Sequence, residues 1–244
     1  MKKKVLLLSA ITMMVMCASA QAQQRTRSSY VNPMIGTAGM GHTFPGACSP
    51  FGIVQLSPET DTIPQNVDGK YQTEVYSYCA GYQYDDPTIV GFSHTHLSGT
   101  GCVDLLDVMM QPSVEPITRL QGEDLYPATF SHDNEKASVG YYAVRFDASG
   151  INTELTATTR TGMTRITYPA GKPQTLAFDM SHAGQNRGGD RKTIIFNSQL
   201  RLVNATTLVG YRMLSGWQKA RKVYFYAQFS RPVVAVSYTH LRAH

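Results

Sequence analysis

VGYYAVRFD, residues 139–147, decides the fold class. Its apolar side chains Tyr142, Val144 and Phe146 fall two apart, and side chains two apart on an extended strand share one face. The spacing therefore predicts a strand with one buried and one wet face. The same alternation returns in Leu176, Phe178 and Met180, in Phe196, Leu200 and Leu202, and in Val223, Phe225, Ala227 and Phe229. Strand starts or centres near Val139, Ile151, Met163, Leu176, Ile194, Leu208, Val223 and Val233 follow at the short, even spacing of sandwiches and barrels. The last of these strands is expected over 232–237. No helical period competes. The chain reads as all-β, a large antiparallel β-sandwich over residues 23–237, with no Pro/Ser-rich linker to divide it.

Upstream of these strands, residues 91–102 read GFSHTHLSGTGC and residues 36–50 read GTAGMGHTFPGACSP. Both are too rich in glycine for a regular element, and both carry histidine beside hydroxyl or aromatic side chains. If a strand over 88–93 runs out into His94 and His96, the two imidazoles point the same way. Gly99 and Gly101 allow close backbone approach. The two loops together could line one pocket. His94 and His96 admit three readings: a structural hydrogen-bonding pair, contacts to a bound ligand, or metal ligation completed by His42 or Asp104. Phe44 and Phe51 serve either as core plugs or as apolar faces for a ligand. Asp85 and Asp86 precede Pro87 and read as a turn. Asp104 and Asp107 are expected to fix the neighbouring loop backbone rather than to act as an acid/base pair.

The N-terminus has the form of an export signal over residues 1–22: Lys2, Lys3 and Lys4, an apolar run over 5–15, then small residues Ala18 to Ala22 interrupted by Gln21. The expected location is secreted or periplasmic. Cys17 follows the large Met16, where a lipobox calls for a small residue, so lipidation is the lesser expectation. The apolar run is too short to span a bilayer. The chain has 22 basic and 17 acidic residues; without the three signal lysines, 19 bases remain against 17 acids, a net +2. That balance, with basic runs only at 187–192 and 219–222, gives no footprint for nucleic acid. Beyond the signal, Cys48, Cys79 and Cys102 could supply one disulfide and one thiol, or stand as small buried hydrophobes. No CxxC spacing suggests a structural zinc site.

VNPMIGT (31–37), GHTFPGA (41–47), PFGIVQLSPET (50–60), CAGYQY (79–84) and GFSHTHLSGTGC, in that order, resemble the opening of glycoside hydrolase family 92. The resemblance runs from Tyr30 to Ser237. It implies a secreted, calcium-dependent exo-α-mannosidase that hydrolyses terminal α-mannosides of glycans with inversion. It also implies an N-terminal β-sandwich joined to an (α/α)6 barrel. The paired carboxylates and the calcium ligands of the family lie in that barrel, so no catalytic residue and no metal ligand is assigned here. The fragment alone is expected to be inactive and to contact the absent barrel. Residues expected to line the mannose pocket or brace the barrel loops are His42, Phe44, Phe51, Gly52, Cys79, His94, His96, Ser98, Gly99 and Thr100. Tyr76 and Tyr78 stand where relatives often carry tryptophan, which leaves linkage preference open. Residues 238–244 do not follow the family and receive no function. A stand-alone carbohydrate-binding sandwich is the alternative, and a His-based metalloenzyme the lesser one.

Overall fold

The computed structural model describes residues 26–63, 66–116, 127–184 and 193–234. The export signal, the basic run at 187–192 and the tail 238–244 lie outside the described residues. The chain divides into two units, residues 1–31 and residues 32–244. In the first, Arg27–Tyr30 form one 3-10 turn closed by Val31 N–H donating to Ser28 O.

The larger unit is built from strands. In chain order they are β1 (Ala47–Cys48), β2 (Gln55–Glu59), β3 (Asn66–Val67), β4 (Lys70–Tyr71), β5 (Thr88–Ile89), β6 (Gly91–Ser93), β7 (Met109–Ser113) and β8 (Ala128–Ser138). Then come β9 (Tyr141–Phe146), β10 (Asn152–Ala157), β11 (Gly162–Thr167), β12 (Thr175–Asp179), β13 (Ile194–Asn204), β14 (Thr207–Ser215) and β15 (Arg221–Gln228). A 3-10 helix, Thr73–Tyr78, is its helical element among the described residues. No described helix is long and apolar enough to cross a membrane.

Two five-stranded sheets, ordered β1-β2-β6-β7-β12 and β11-β10-β9-β8-β5, carry the main core. All described pairings are antiparallel. Ala47, Leu56 and Phe92 from the first sheet meet Ile89, Phe130, Tyr142, Val144, Phe146 and Leu155 from the second. The rings of Phe92 and Phe146 lie 6.1 Å apart across the gap. This is the β-sandwich the alternation implies, and Tyr142, Val144 and Phe146 occupy its interior as their spacing requires.

Three local departures have physical causes. The strand expected over 88–93 breaks at Val90, whose N–H donates to Glu59 O. Thr88 and Ile89 pair with β8, whereas Gly91–Ser93 pair with β2 and β7, so the chain changes sheets here. Both sides of the break bury an apolar side chain, Ile89 and Phe92, which is why the sequence reads as one run. In β8, Phe130 pairs with Phe146 but Glu135 already pairs with Val144. The extra residues form a bulge that swings His132 onto Tyr84, ring centroids 4.0 Å apart and nearly parallel. Finally, of the strand expected over 232–237, residues 232–234 are not in a strand, although Val233 N–H donates to Ala205 O, and 235–237 lie outside the described residues.

The third sheet, β13-β14-β15, has one half-buried and one exposed face. Phe225 stacks on Phe178 of β12, centroids 6.2 Å apart. Leu208 and Leu214 are buried on β14, and so, in the same phase, is Arg212.

Candidate functional site

The glycine-dense loops do meet. Gly99 N–H donates to His42 O at 2.6 Å, a backbone bond between residues 57 positions apart. Loop 36–50 turns tightly because Gly36 has φ +82 and a Cβ on Gly41 would lie 2.2 Å from Gly36 O. His42 adopts φ +52, a left-handed conformation uncommon for a side-chain-bearing residue. Its ring packs edge-on against Tyr76 at 5.1 Å. Gly101 is held to the same ring, since a Cβ there would come 1.9 Å from Tyr76 Oη. Phe44 lies over His96, centroids 5.0 Å apart. Tyr84 N–H donates to Thr37 O, and Gln83 Nε2 donates to Gly39 O, so the CAGYQY segment braces the first loop.

Beneath the loops the chemistry is internal. His96 is buried; Nδ1 lies 2.7 Å from Gln55 O and Nε2 lies 2.8 Å from Glu59 Oε1. Ser93 Oγ also donates to that carboxylate oxygen. Neither ring nitrogen of His96 is left for a sugar hydroxyl. Glu59 is only 1 % exposed, and its other oxygen faces His182 Nε2 at 3.9 Å. Burial alone would raise the Glu59 pKa, but the charges and hydrogen bonds of His96 and His182 outweigh it and hold the group at about 2. His182 moves the other way from burial: its ring would lose basicity in the interior, yet Glu59 more than compensates and raises it. His94 points to a different partner. Its Nδ1 donates to Val108 O at 2.7 Å, and burial lowers its pKa, with the carbonyl opposing that shift and the neighbouring His96 adding to it.

Asp104 and Asp107 do fix the local backbone. Asp104 Oδ1 accepts from Leu105 N–H, and Asp107 exchanges hydrogen bonds with the hydroxyl of Thr95. They also reach much further. Arg221 donates to Asp107 Oδ2 at 2.7 Å and to Asp104 Oδ1 at 3.2 Å, and Trp217 N–H donates to Asp104 Oδ2. Arg212, fully buried, approaches Asp107 Oδ1 to 3.9 Å and donates through NH1 to His182 O. Beside the two acids, Leu105, Leu106 and Val108 all have positive φ, from 53 to 69. Such strain persists only where surrounding contacts enforce it, and it gathers at functional sites.

The remaining candidates divide by exposure. Ser98 and Gly99 are exposed and Thr100 half-exposed, forming a polar lip. Phe51 is fully exposed at φ +56 in a separate turn, with Gly52 N–H donating to Ser49 O and Gly52 packed on Thr159. Cys79 is buried with its sulfur on Tyr76 O. Among the described residues no disulfide joins Cys48, Cys79 and Cys102 to one another. Burial raises the Cys48 pKa. Among the described residues no group of three or more His, Cys, Asp or Glu side chains could hold a metal ion. The three rings turn to different partners: His94 Nδ1 to Val108 O, His96 Nε2 to Glu59, and His42 edge-on to Tyr76.

The residues that sequence reasoning missed are Glu59, Ser93, His182, Arg212 and Arg221. Arg212 carried a usable signal, a charge in the inward phase with Leu208, Gly210 and Leu214. The others carried none, because their partners are brought in by sheet packing.

The glycosyl hydrolase family 92 N-terminal domain matches residues 30–243, so the match takes in most of the tail expected to depart from the family. The chain belongs to this family. A family GH92 alpha-mannosidase from Bacteroides thetaiotaomicron superimposes with a TM-score of 0.71 at 38% identity, over 85% of this chain and 26% of that one. The same enzyme in complex with mannoimidazole gives 0.69 over the same shares. Another GH92 family glycosyl hydrolase gives 0.66 at 26% identity, over 84% of this chain and 26% of that one. An uncharacterized secreted glycosidase of Arthroderma benhamiae is 32% identical over 149 residues, 57% of this chain and 17% of its own length. The family 92 chain described here therefore spans about a quarter of the solved relatives it matches and less of the curated one.

Proposed function

We propose that this chain is the β-sandwich part of an exported α-mannosidase that removes terminal α-mannose from glycans. The observation that carries the reading is its match to a solved alpha-mannosidase, 38% identical across 85% of the chain. The contact between Gly99 and His42 supports a shared role for the two loops. Their exposed lip, Ser98 to Thr100, offers hydroxyl and backbone groups suited to sugar hydroxyls, and Phe51 offers an apolar face suited to sugar C–H groups. His96 is anchored on Gln55 O and Glu59, and Cys79 on Tyr76 O.

Family 92 also brings the expectation of calcium. The buried acids here do not fit it: Glu59 is occupied by Ser93 and His96, and Asp104 and Asp107 by Arg221. Calcium takes six to eight oxygen ligands, and these carboxylates face the cationic side chains His182, Arg212 and Arg221 instead. Its ligands, and the acid and base of an inverting hydrolysis, are assigned to sequence outside this chain. The test is hydrolysis of an aryl α-mannoside by the 244-residue chain and by the reading frame extended past codon 244. Activity of the extended protein alone, lost with EDTA and restored by calcium, is the expected result. An extended protein that hydrolyses no α-mannoside overturns the reading.

A further inference from the structure

We propose that one buried water molecule sits on the Nε/NH2 edge of Arg212 and joins β14 to the strained segment 103–108. Arg212 has no exposed surface. Its NH1 is used by His182 O, but among the described residues Nε and NH2 are buried without a partner, and so is Asp107 Oδ1. The gap from NH2 to Oδ1 is 3.9 Å, beyond a direct hydrogen bond. Asp107 cannot rotate to close it without cost, because Oδ2 already accepts from Thr95 Oγ1 at 2.8 Å and from Arg221 NH1 at 2.7 Å.

Two donors and one acceptor thus face one another in the interior, where nearly all polar groups find partners and an orphan is costly. The occupant must accept from both N–H groups and donate to a carboxylate oxygen. An anion cannot donate and is repelled by Asp107; a cation is repelled by Arg212. Water does both, and three hydrogen bonds is the usual number for a buried water. A separation of 3.9 Å suits a bent bridge with legs of about 2.8 Å. Leu208 and Leu214 are buried in the same inward phase of β14 as Arg212. The hydrated joint would hold Asp107 while the chain turns through Leu105, Leu106 and Val108, and Asp107 O and Val108 O in turn receive His94 N–H and Nδ1–H. This inference is independent of the mannoside reading.

A crystal structure of the full 244-residue chain at a resolution that orders waters tests it. The expected result is a solvent peak within about 3.2 Å of Nε, NH2 and Asp107 Oδ1. A guanidinium bonded directly to Oδ1 with no peak, or a dry gap, overturns the proposal. In solution, ¹⁷O magnetic relaxation dispersion should count one fewer long-lived water in Arg212→Met than in the parent, and an unchanged count contradicts it. Should Arg212→Met fail to fold, the parent crystal structure alone decides.

Discussion

The lip and the floor of the same glycine-histidine region obey different chemistry. At the lip, Ser98, Gly99 and Thr100 meet solvent and do little for packing. His96, Ser93, Glu59 and His182 form an internal cluster of charges and hydrogen bonds. What separates them is burial rather than residue type. In one short polar segment, every second or third residue can be functional or structural according to which side of the backbone it leaves.

That contrast can be broken most severely at the floor. Glu59→Ala leaves His96 and His182 facing no carboxylate, and loss of one partner from a buried charge set costs about 3–5 kcal/mol. Chemical denaturation should show the midpoint falling with an unchanged slope. Gly81→Ala strikes the same carboxylate from outside: Gly81 has φ +81 and an added Cβ would lie 2.1 Å from Glu59 Oε2. A loss of about 1–3 kcal/mol is expected, and a neutral result would show that Glu59 moves aside without penalty.

The pH profile sharpens the comparison. Glu59 is lowered from 4.5 to about 2, so its contribution is present above pH 4.5 and lost as pH falls toward about 2. His182 is raised from 6.5, so its contribution is present below pH 6.5 and lost as pH rises through the folded value. Stability from this pair should peak between these limits, and Glu59→Gln should flatten the profile. At the small end, Ser98→Ala and Thr100→Ala should each alter stability by no more than about 0.5 kcal/mol, while lowering α-mannoside turnover by the extended protein.

Much of the sandwich was legible because alternation is a local signal. Tyr142, Val144 and Phe146 state their own inward face, and the phase of β15 holds from Val223 to Ala227. The break at Val90 was hidden because Ile89 and Phe92 are both core residues on either side of it. The meeting of the two loops was foreseeable from composition, but the division of their histidines was not. His96 turns inward because Gln55 O and Glu59 await it, and those partners lie about 40 positions away in sequence. The same distance problem hid Arg221, which reaches Asp104 and Asp107 from more than 110 positions on. Arg212 was the exception, a charge in an apolar phase.

Thermal unfolding of His96→Ala and Ser98→Ala, side by side with the parent chain, tests the central division most directly. The account expects His96→Ala to melt several degrees lower, a change of 1 kcal/mol being worth roughly 2–4 °C in a protein of this size, and Ser98→Ala to melt with the parent. Equal melting of His96→Ala and the parent, or a larger loss in Ser98→Ala, would contradict it.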